Sequence, residues 1–223
     1  MTTVLSTKRL KSNQRSLLLQ AGVSLVEYNA INIEFLSFEV PENVERAIFT
    51  SQNAVENVLN QNIKITECFC VGEKTKELLE KKGQKVVMMK EYATELATYL
   101  VENHENDSFH FFCGNIRSNE IPTRLKENNV HFNEIVVYKT TLNSKQFERS
   151  FDAILFYSPS GVRSYYEANR PESFSKSNRS VAVSICIGTT TASEARNFSQ
   201  NVEISNSTTV ESVIAKAVKT LKQ

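Results

Sequence analysis

The sequence predicts an α/β protein built on parallel β-sheets, and three observations support this fold class. Short apolar runs alternate with amphipathic segments along most of the 223 residues, which is typical of strands joined by crossover helices. The apolar runs end in Gly, Ser, Thr or Asn, the residue types that begin a following helix. The stretch Phe49-Thr50-Ser51-Gln52-Asn53-Ala54-Val55 returns 107 positions later as Phe156-Tyr157-Ser158-Pro159-Ser160-Gly161-Val162. We therefore expect two similar units, each with its own parallel sheet.

The predicted strands are short and apolar, as in a sheet that is covered on both faces. They comprise residues 4–6, 23–33, 47–50, 67–71, 86–88, 109–113, 134–140, 153–157, 181–187 and 202–204. Helices are predicted where apolar residues recur every three or four positions, and Gly22 and Gly83 are expected to end two of them. Thr94 is expected to cap another. The predicted helices comprise residues 14–21, 55–59, 76–82, 95–102, 121–128, a segment that ends at 168, one that begins at 192, and 209–221.

The repeat extends beyond the first matching stretch, but its spacing changes once. Gly72 matches Gly188 at an offset of 116, so the second unit contains nine additional residues. They fall in or near the polar segment 170–179, which is predicted to be a loop. Two predicted strands, around 28–35 and 136–142, have no tight turn after them and could cross between the units. Repetition alone allows either consecutive domains or domains that exchange segments.

The composition argues against several classes of protein. The 26 Lys and Arg residues against 25 Asp and Glu residues give a net charge of +1, which provides no case for nucleic-acid binding. The N-terminal stretch lacks the apolar region of a signal peptide, and no uncharged apolar run approaches the length of a membrane span. We therefore expect a soluble cytoplasmic protein. Glycine-rich nucleotide-binding motifs are missing, so a nucleotide cofactor has no support.

The four cysteines and three histidines do not have the spacing of a metal site or of a catalytic triad. Cys68 and Cys70 alternate along a predicted strand, so their thiols point to the same face. We interpret them as small core or near-surface residues and predict no metal. An enzyme built from this sequence would act mainly through positioning and hydrogen bonds.

The candidate site is a set of turns that join predicted strands to predicted helices. Any one of them is explained by the needs of helix capping. Five in two similar units, all at the carboxyl ends of parallel strands, indicate a face that binds an anion. The turns are 51–53, 72–75, 113–115, 158–161 and 188–191.

Three further side chains are candidates for the site. Lys8 and Arg9 follow the first predicted strand and are the best-placed cations for a carboxylate ligand, although as solvated surface charges they would have no such role. Tyr138 lies at the end of the predicted strand that could cross between units. A tyrosine at such a position is more often a packing residue than a catalytic one.

Six stretches, in this order and spacing, resemble the uroporphyrinogen-III synthase family over nearly the whole chain. They are Phe49–Val55, Val71-Gly72, Cys113-Gly114-Asn115, Val137-Tyr138-Lys139-Thr140, Ser158-Pro159-Ser160-Gly161-Val162 and Ile187-Gly188-Thr189-Thr190-Thr191-Ala192. The resemblance implies two flavodoxin-like parallel-sheet domains, joined by a two-stranded crossing, with a ligand cleft between them. Domain 1 would comprise residues 1–33 and 142–223, and domain 2 residues 34–141.

The resemblance also implies an activity. A linear hydroxymethylbilane, a tetrapyrrole polycarboxylate, would be closed to uroporphyrinogen III with inversion of its terminal pyrrole ring and loss of water, in haem biosynthesis. Tyr138 would assist departure of the hydroxyl, no cofactor or metal would be needed, and we expect a monomer. The competing hypothesis is a non-catalytic two-domain cytoplasmic binding protein for a small polyanion. The expected substrate-binding residues are Lys8, Arg9, Ser51, Asn53, Gly72, Gly114, Asn115, Ser158, Ser160, Gly188, Thr190 and Thr191.

Overall fold

The computed structural model describes residues 2–169 and 182–222. The predicted loop at 170–179 and the first residue of the predicted strand 181–187 lie outside the described residues. The chain forms two compact units, one of Met1–Asn32 with Thr141–Gln223 and the other of Ile33–Thr140. We refer to them as unit 1 and unit 2.

The described residues form eleven strands and eight helices, which alternate along most of the chain. The strands are β1 (Thr3–Ser6), β2 (Ser24–Glu27), β3 (Ile31–Phe35), β4 (Asn43–Phe49), β5 (Lys64–Val71), β6 (Val86–Lys90), β7 (Ser108–Gly114), β8 (His131–Leu142), β9 (Ala153–Phe156), β10 (Val183–Cys186) and β11 (Val202–Ile204). The helices are α1 (Ser12–Gln20), α2 (Gln52–Leu59), α3 (Glu73–Lys81), α4 (Ala93–Asn103), α5 (Glu120–Glu127), α6 (Pro159–Ala168), α7 (Thr189–Arg196) and α8 (Val210–Leu221).

Each unit has one sheet at its centre. In unit 1 the strand order is β11-β10-β9-β1-β2, and all four neighbouring pairs are parallel. The other sheet has the order β3-β8-β7-β4-β5-β6, and β8, β7, β4, β5 and β6 run parallel to one another. The predicted α/β class with parallel sheets is confirmed. The chain passes from one unit to the other within β3 and again near the end of β8.

Both sheets are buried on their two faces, because consecutive strand residues pack into different apolar clusters. In unit 2, Phe49 packs with Val55 and Leu79, whereas its neighbour Ile48 packs with Leu96 on the opposite face. Unit 1 repeats the arrangement, with Leu5 and Val4 in different clusters. This explains why the strands read as continuous apolar runs. Cys68 and Cys70 share one cluster, in agreement with their interpretation as core residues.

Several predicted element bounds were wrong. The predicted strand 23–33 is two strands, because Ala30 donates its N–H to Thr7 and accepts from Asn143, which takes the chain out of β2. Thr94 lies inside α4, and Tyr92 is its N-cap residue. Helices α3 and α7 begin directly after Gly72 and Gly188, one turn earlier than predicted.

Candidate functional site

The carboxyl end of the unit 2 sheet carries most of the predicted residues of that unit. Because the strands are parallel, their carboxyl ends meet at the same edge. At this edge β4 continues into Ser51 and α2, β5 into Gly72 and α3, and β7 ends at Gly114. Helices α2 and α3 therefore begin there, and the positive end of a helix dipole favours an anion.

Tyr138 lies at the same edge, but not at a strand end as predicted. It is inside β8, which continues to Leu142, and it pairs with Gly114. The register shifts by one residue between Cys113 and Gly114, so the pairing with β7 passes over Val137. A Cβ atom built on Gly114 would lie 2.4 Å from Cζ and 2.8 Å from the hydroxyl of Tyr138. The phenol therefore lies directly against the bare Cα of Gly114.

The surroundings of Tyr138 keep its hydroxyl protonated. Only 7% of the residue is exposed, and burial raises the pKa of the phenol. A hydrogen bond with the Ser51 side chain lowers this pKa in part, but the net direction is upward. Ser51 is the N-cap of α2 and accepts from the N–H of Asn53 at 3.1 Å. The arrangement suits a hydrogen-bond or proton donor beside a helix N-terminus.

Asn115 is engaged with β8 through three hydrogen bonds. Its side-chain amide donates to the carbonyl of Thr140 at 3.2 Å, and its side-chain oxygen accepts from the N–H of Thr140 at 2.7 Å. Its own N–H donates to the carbonyl of Tyr138 at 3.2 Å. These bonds join the 113–115 turn to the strand that carries the phenol.

Gly72 contributes a backbone conformation to the edge. Its φ of +84° is in the region that favours glycine, and a Cβ there would meet open space. Its N–H donates to the carbonyl of Lys90 at 2.9 Å. The first turn of α3 contains the acidic Glu73. For an anionic ligand at this turn, the negative charge of Glu73 would therefore oppose the positive end of the helix. The Gly72 N–H already has an acceptor.

The corresponding edge of unit 1 carries the other predicted residues. Ser158 is the N-cap of α6 and accepts from the N–H of Gly161 at 3.1 Å, with Ser160 partly exposed in the first turn. Gly188 is the N-cap of α7 in an extended conformation. In the first turn of that helix Thr190 is exposed, whereas Thr191 is buried.

Lys8 and Arg9 follow β1 at this edge, and both are exposed. Strand β1 neighbours β9, which leads to Ser158, and β9 neighbours β10, which leads to Gly188. The fold thus brings the two cations and the N-termini of α6 and α7 to one edge of unit 1, as predicted from the parallel pattern.

Two features of this edge were missed by the sequence reasoning. The phenol oxygen of Tyr157 lies 3.3 Å from the Ser6 hydroxyl, and burial raises the pKa of this phenol. After β11, the hydroxyl of Ser205 donates toward the carbonyls of Ile187 at 3.0 Å and Ser207 at 2.8 Å, and the methyl of Thr208 lies 3.6 Å from a Cβ built on Gly188. The rule used for the other turns, small hydroxyl residues directly after a strand, would have identified 205–208.

Among the described residues, no helix is both long and apolar enough to cross a membrane. Within 2–169 and 182–222, no group of three or more His, Cys, Asp and Glu residues could hold a metal ion.

Known proteins resemble this chain in fold along its whole length. The solved uroporphyrinogen-III synthetase of Helicobacter pylori 26695 is 18% identical, with a TM-score of 0.69 over 99% of this chain and 100% of the other. A mutant uroporphyrinogen III synthase from the extremely thermophilic bacterium Thermus thermophilus is 13% identical, with a TM-score of 0.70 over 100% of this chain and 99% of the other. At these identities the likeness establishes the fold. A comparison with curated protein sequences gives no significant match.

The family assignment comes from the sequence itself. The model of the family described as uroporphyrinogen-III synthase HemD, HEM4, matches residues 13–215. That span includes Ser51, Gly114, Tyr138 and Ser158. The chain belongs to the uroporphyrinogen-III synthase HemD family.

Proposed function

We propose that this protein is a uroporphyrinogen-III synthase, a lyase that closes linear hydroxymethylbilane to uroporphyrinogen III. The observation that carries this proposal is the family match over residues 13–215. It favours the enzyme over the non-catalytic binding protein that the sequence alone left open. The reaction expels the hydroxyl of the substrate as water and inverts the terminal pyrrole ring.

The chemistry requires a donor for the departing hydroxyl. Loss of this group as water also removes the N–H proton of the same pyrrole, either directly or by way of the donor, which then regains the proton it gave, and leaves an electrophilic azafulvene. The substituted carbon of the terminal pyrrole then attacks it to give a spiro intermediate, whose breakdown and reclosure invert that ring. We assign the donor to Tyr138, because its buried phenol is protonated at neutral pH and interacts with Ser51, the N-cap of α2; burial raises its pKa and makes it a weaker acid, which favours a hydrogen bond to the leaving hydroxyl. A hydrogen bond that strengthens as the hydroxyl leaves would accelerate this step.

The second requirement is control of the substrate's shape. Closure without inversion would give uroporphyrinogen I, so the enzyme must hold a flexible polycarboxylate in one folded conformation. A hydrogen bond to a charged group contributes about 1.5–3 kcal/mol, and about 1.4 kcal/mol is a factor of ten in rate. Two or three such bonds made only in the folded conformation would determine the isomer ratio.

We propose that the carboxylates are bound at the two carboxyl edges, by the N-termini of α2, α3, α6 and α7 and by exposed cations. The predicted residues at these positions are Lys8, Arg9, Ser51, Asn53, Gly72, Ser158, Ser160, Gly188, Thr190 and Thr191. We take the two compact units as the two domains of the enzyme. That it acts as a monomer in the cytoplasm stays a prediction from the sequence, and sedimentation velocity on the purified chain would test the first part.

The proposed function is tested by supplying freshly prepared hydroxymethylbilane and separating the two product isomers. Uroporphyrinogen III should exceed uroporphyrinogen I with the native protein and should be the minor isomer with heat-inactivated protein. Binding of the substrate with exclusive formation of uroporphyrinogen I would contradict the enzyme and support the binding protein.

A further inference from the structure

The 113–115 turn is joined to β8 by three hydrogen bonds of Asn115 and by the close contact of Gly114 with the Tyr138 ring. We propose that Gly114 and Asn115 are positioning residues, which hold the Tyr138 phenol at the carboxyl edge of unit 2 and do not bind the substrate themselves. The catalytic part of this inference rests on the proposed function of Tyr138, whereas the placement of the phenol can be tested without substrate.

Gly114 differs from the other glycines in what its missing side chain permits. Gly22, Gly72 and Gly83 have φ values of +76° to +84° and open space around a built Cβ, so their role is conformational. Gly114 is not among the glycines with positive φ. Its built Cβ instead overlaps Cζ, Cε2 and the hydroxyl of Tyr138, at 2.4, 2.5 and 2.8 Å. The residue is thus suited to admit the phenol, and any side chain there must displace the hydroxyl end of the ring.

Among the glycines in the described part of the chain, no other makes such an approach. Built Cβ atoms on Gly161 and Gly188 come no closer than 3.4 and 3.6 Å to any neighbour, which is ordinary contact. The overlapping atoms at Gly114 belong to the far end of a side chain and not to the backbone. An alanine at 114 should therefore move the phenol and leave the strand pairing in place.

Asn115 fixes the backbone on both sides of Lys139. Its side chain makes the two hydrogen bonds that a neighbouring strand would make to Thr140, one donated and one accepted. Its N–H binds the carbonyl of Tyr138. These three bonds engage the backbone N–H, the side-chain oxygen and one amide N–H of Asn115, so a substrate carboxylate could reach only the second amide N–H without displacing them. Asn115 therefore acts on the reaction through the position of Tyr138.

The placement is tested by titrating the Tyr138 phenol. The tyrosinate absorbance of each protein is recorded against pH, and the curve of the same protein with Tyr138→Phe is subtracted. In the native protein the difference curve should have a raised pKa, and Gly114→Ala should lower it toward about 10, the value of a solvated phenol. An unchanged difference curve in Gly114→Ala would overturn the placement.

The catalytic consequence is tested with single and double variants on hydroxymethylbilane. Gly114→Ala and Asn115→Ala should each lower kcat by about tenfold or more with KM changed less than about twofold, and neither should lower kcat further when Tyr138 is already Phe. Gly83→Ala is the matched control. It places alanine at a residue that has a φ of +78° and lies outside this turn, so it should lower stability without changing kcat.

Two outcomes would overturn the inference. A raised KM with unchanged kcat would make Gly114 or Asn115 a substrate-binding residue, and additive losses with Tyr138→Phe would show that they act independently of the phenol. If the native protein forms no uroporphyrinogen III, the proposed function fails, and the phenol titration still decides the placement.

Discussion

The side-chain amide of Asn57 donates a hydrogen bond to the carbonyl of Val137, the residue directly before Tyr138. The same amide donates to the carbonyl of Leu36 at 2.9 Å, and the N–H of Leu36 also donates to Val137. Val137 is the residue that the pairing between β7 and β8 passes over at the register shift. Helix α2 thus holds the irregular part of β8 through Asn57 and contacts the phenol of Tyr138 through Ser51.

We expect Asn57→Ala to affect both stability and turnover. Asn57 is 6% exposed, and removing a buried donor to two carbonyls should cost about 1–3 kcal/mol of unfolding free energy. The register shift in β8 would then be held less firmly, which should also lower kcat. Urea denaturation would measure the loss of stability, and steady-state kinetics would measure the loss of kcat. Asn128→Ala is the control, because the Asn128 amide binds the carbonyl of Arg124 at an exposed helix end and its loss should cost about 0.5 kcal/mol or less. Equal effects of the two variants would contradict this role of Asn57.

Tyr138→Phe should slow turnover much more than it weakens binding. Loss of a positioned proton donor lowers kcat by about 10²-fold or more, whereas KM should change little because the ring still packs against Gly114. Tyr92→Phe is a suitable control, since Tyr92 is 61% exposed. An unchanged kcat in a folded Tyr138→Phe protein would remove Tyr138 from the mechanism.

Ser158→Ala should reduce stability and isomer fidelity modestly, because it removes the acceptor of the Gly161 N–H but leaves the other N–H groups of α6. Loss of an N-cap costs about 1 kcal/mol. Ser158→Asp keeps the cap and adds a negative charge, so it should retain stability but raise KM for a polycarboxylate. A folded Ser158→Ala protein with no activity would instead indicate a direct chemical role for this hydroxyl.

The unfolding free energy should fall at alkaline pH. Burial raises the pKa of the Cys68, Cys70 and Cys186 thiols and of the Tyr28 phenol to about 12. In the unfolded chain these groups ionise near about 8.5 and about 10. A group whose pKa is higher in the folded protein than in the unfolded chain contributes stability below its unfolded pKa. This contribution is lost as the pH rises toward the folded pKa, so the free energy of unfolding should decline from about pH 9 upward.

Urea denaturation between neutral pH and about pH 10.5 would measure this decline. It should begin as the thiols of the unfolded chain ionise and continue as the phenols of the unfolded chain ionise. Cys68→Ala should give a shallower slope, because it removes one of the buried thiols that titrate in this window. A free energy of unfolding that stays constant up to about pH 10 would contradict the burial of these groups.

The sheets and most site turns could be predicted because their physical causes are local. A run such as Ile48-Phe49 followed by Ser51 carries both the apolar content of a buried strand and the cap of the next helix. The element bounds were less accurate where backbone bonds from distant residues decide them, as at Ala30.

The arrangement around Tyr138 could not be read from the sequence. The register shift beside Val137 leaves the apolar pattern of β8 unchanged, and Asn57 looks like any polar residue on a helix. Gly114 resembles a turn glycine, although its position is explained by the neighbouring phenol and not by its own φ. Tyr157 was overlooked because its aromatic ring fits an apolar strand end equally well.

The most direct measurement is the ratio of uroporphyrinogen III to uroporphyrinogen I formed from hydroxymethylbilane as the concentration of the purified protein is increased. The native chain should drive the product toward uroporphyrinogen III, and Tyr138→Phe should need far more protein to reach the same ratio. A product that remains uroporphyrinogen I at every concentration of the native protein would contradict its assignment as the synthase.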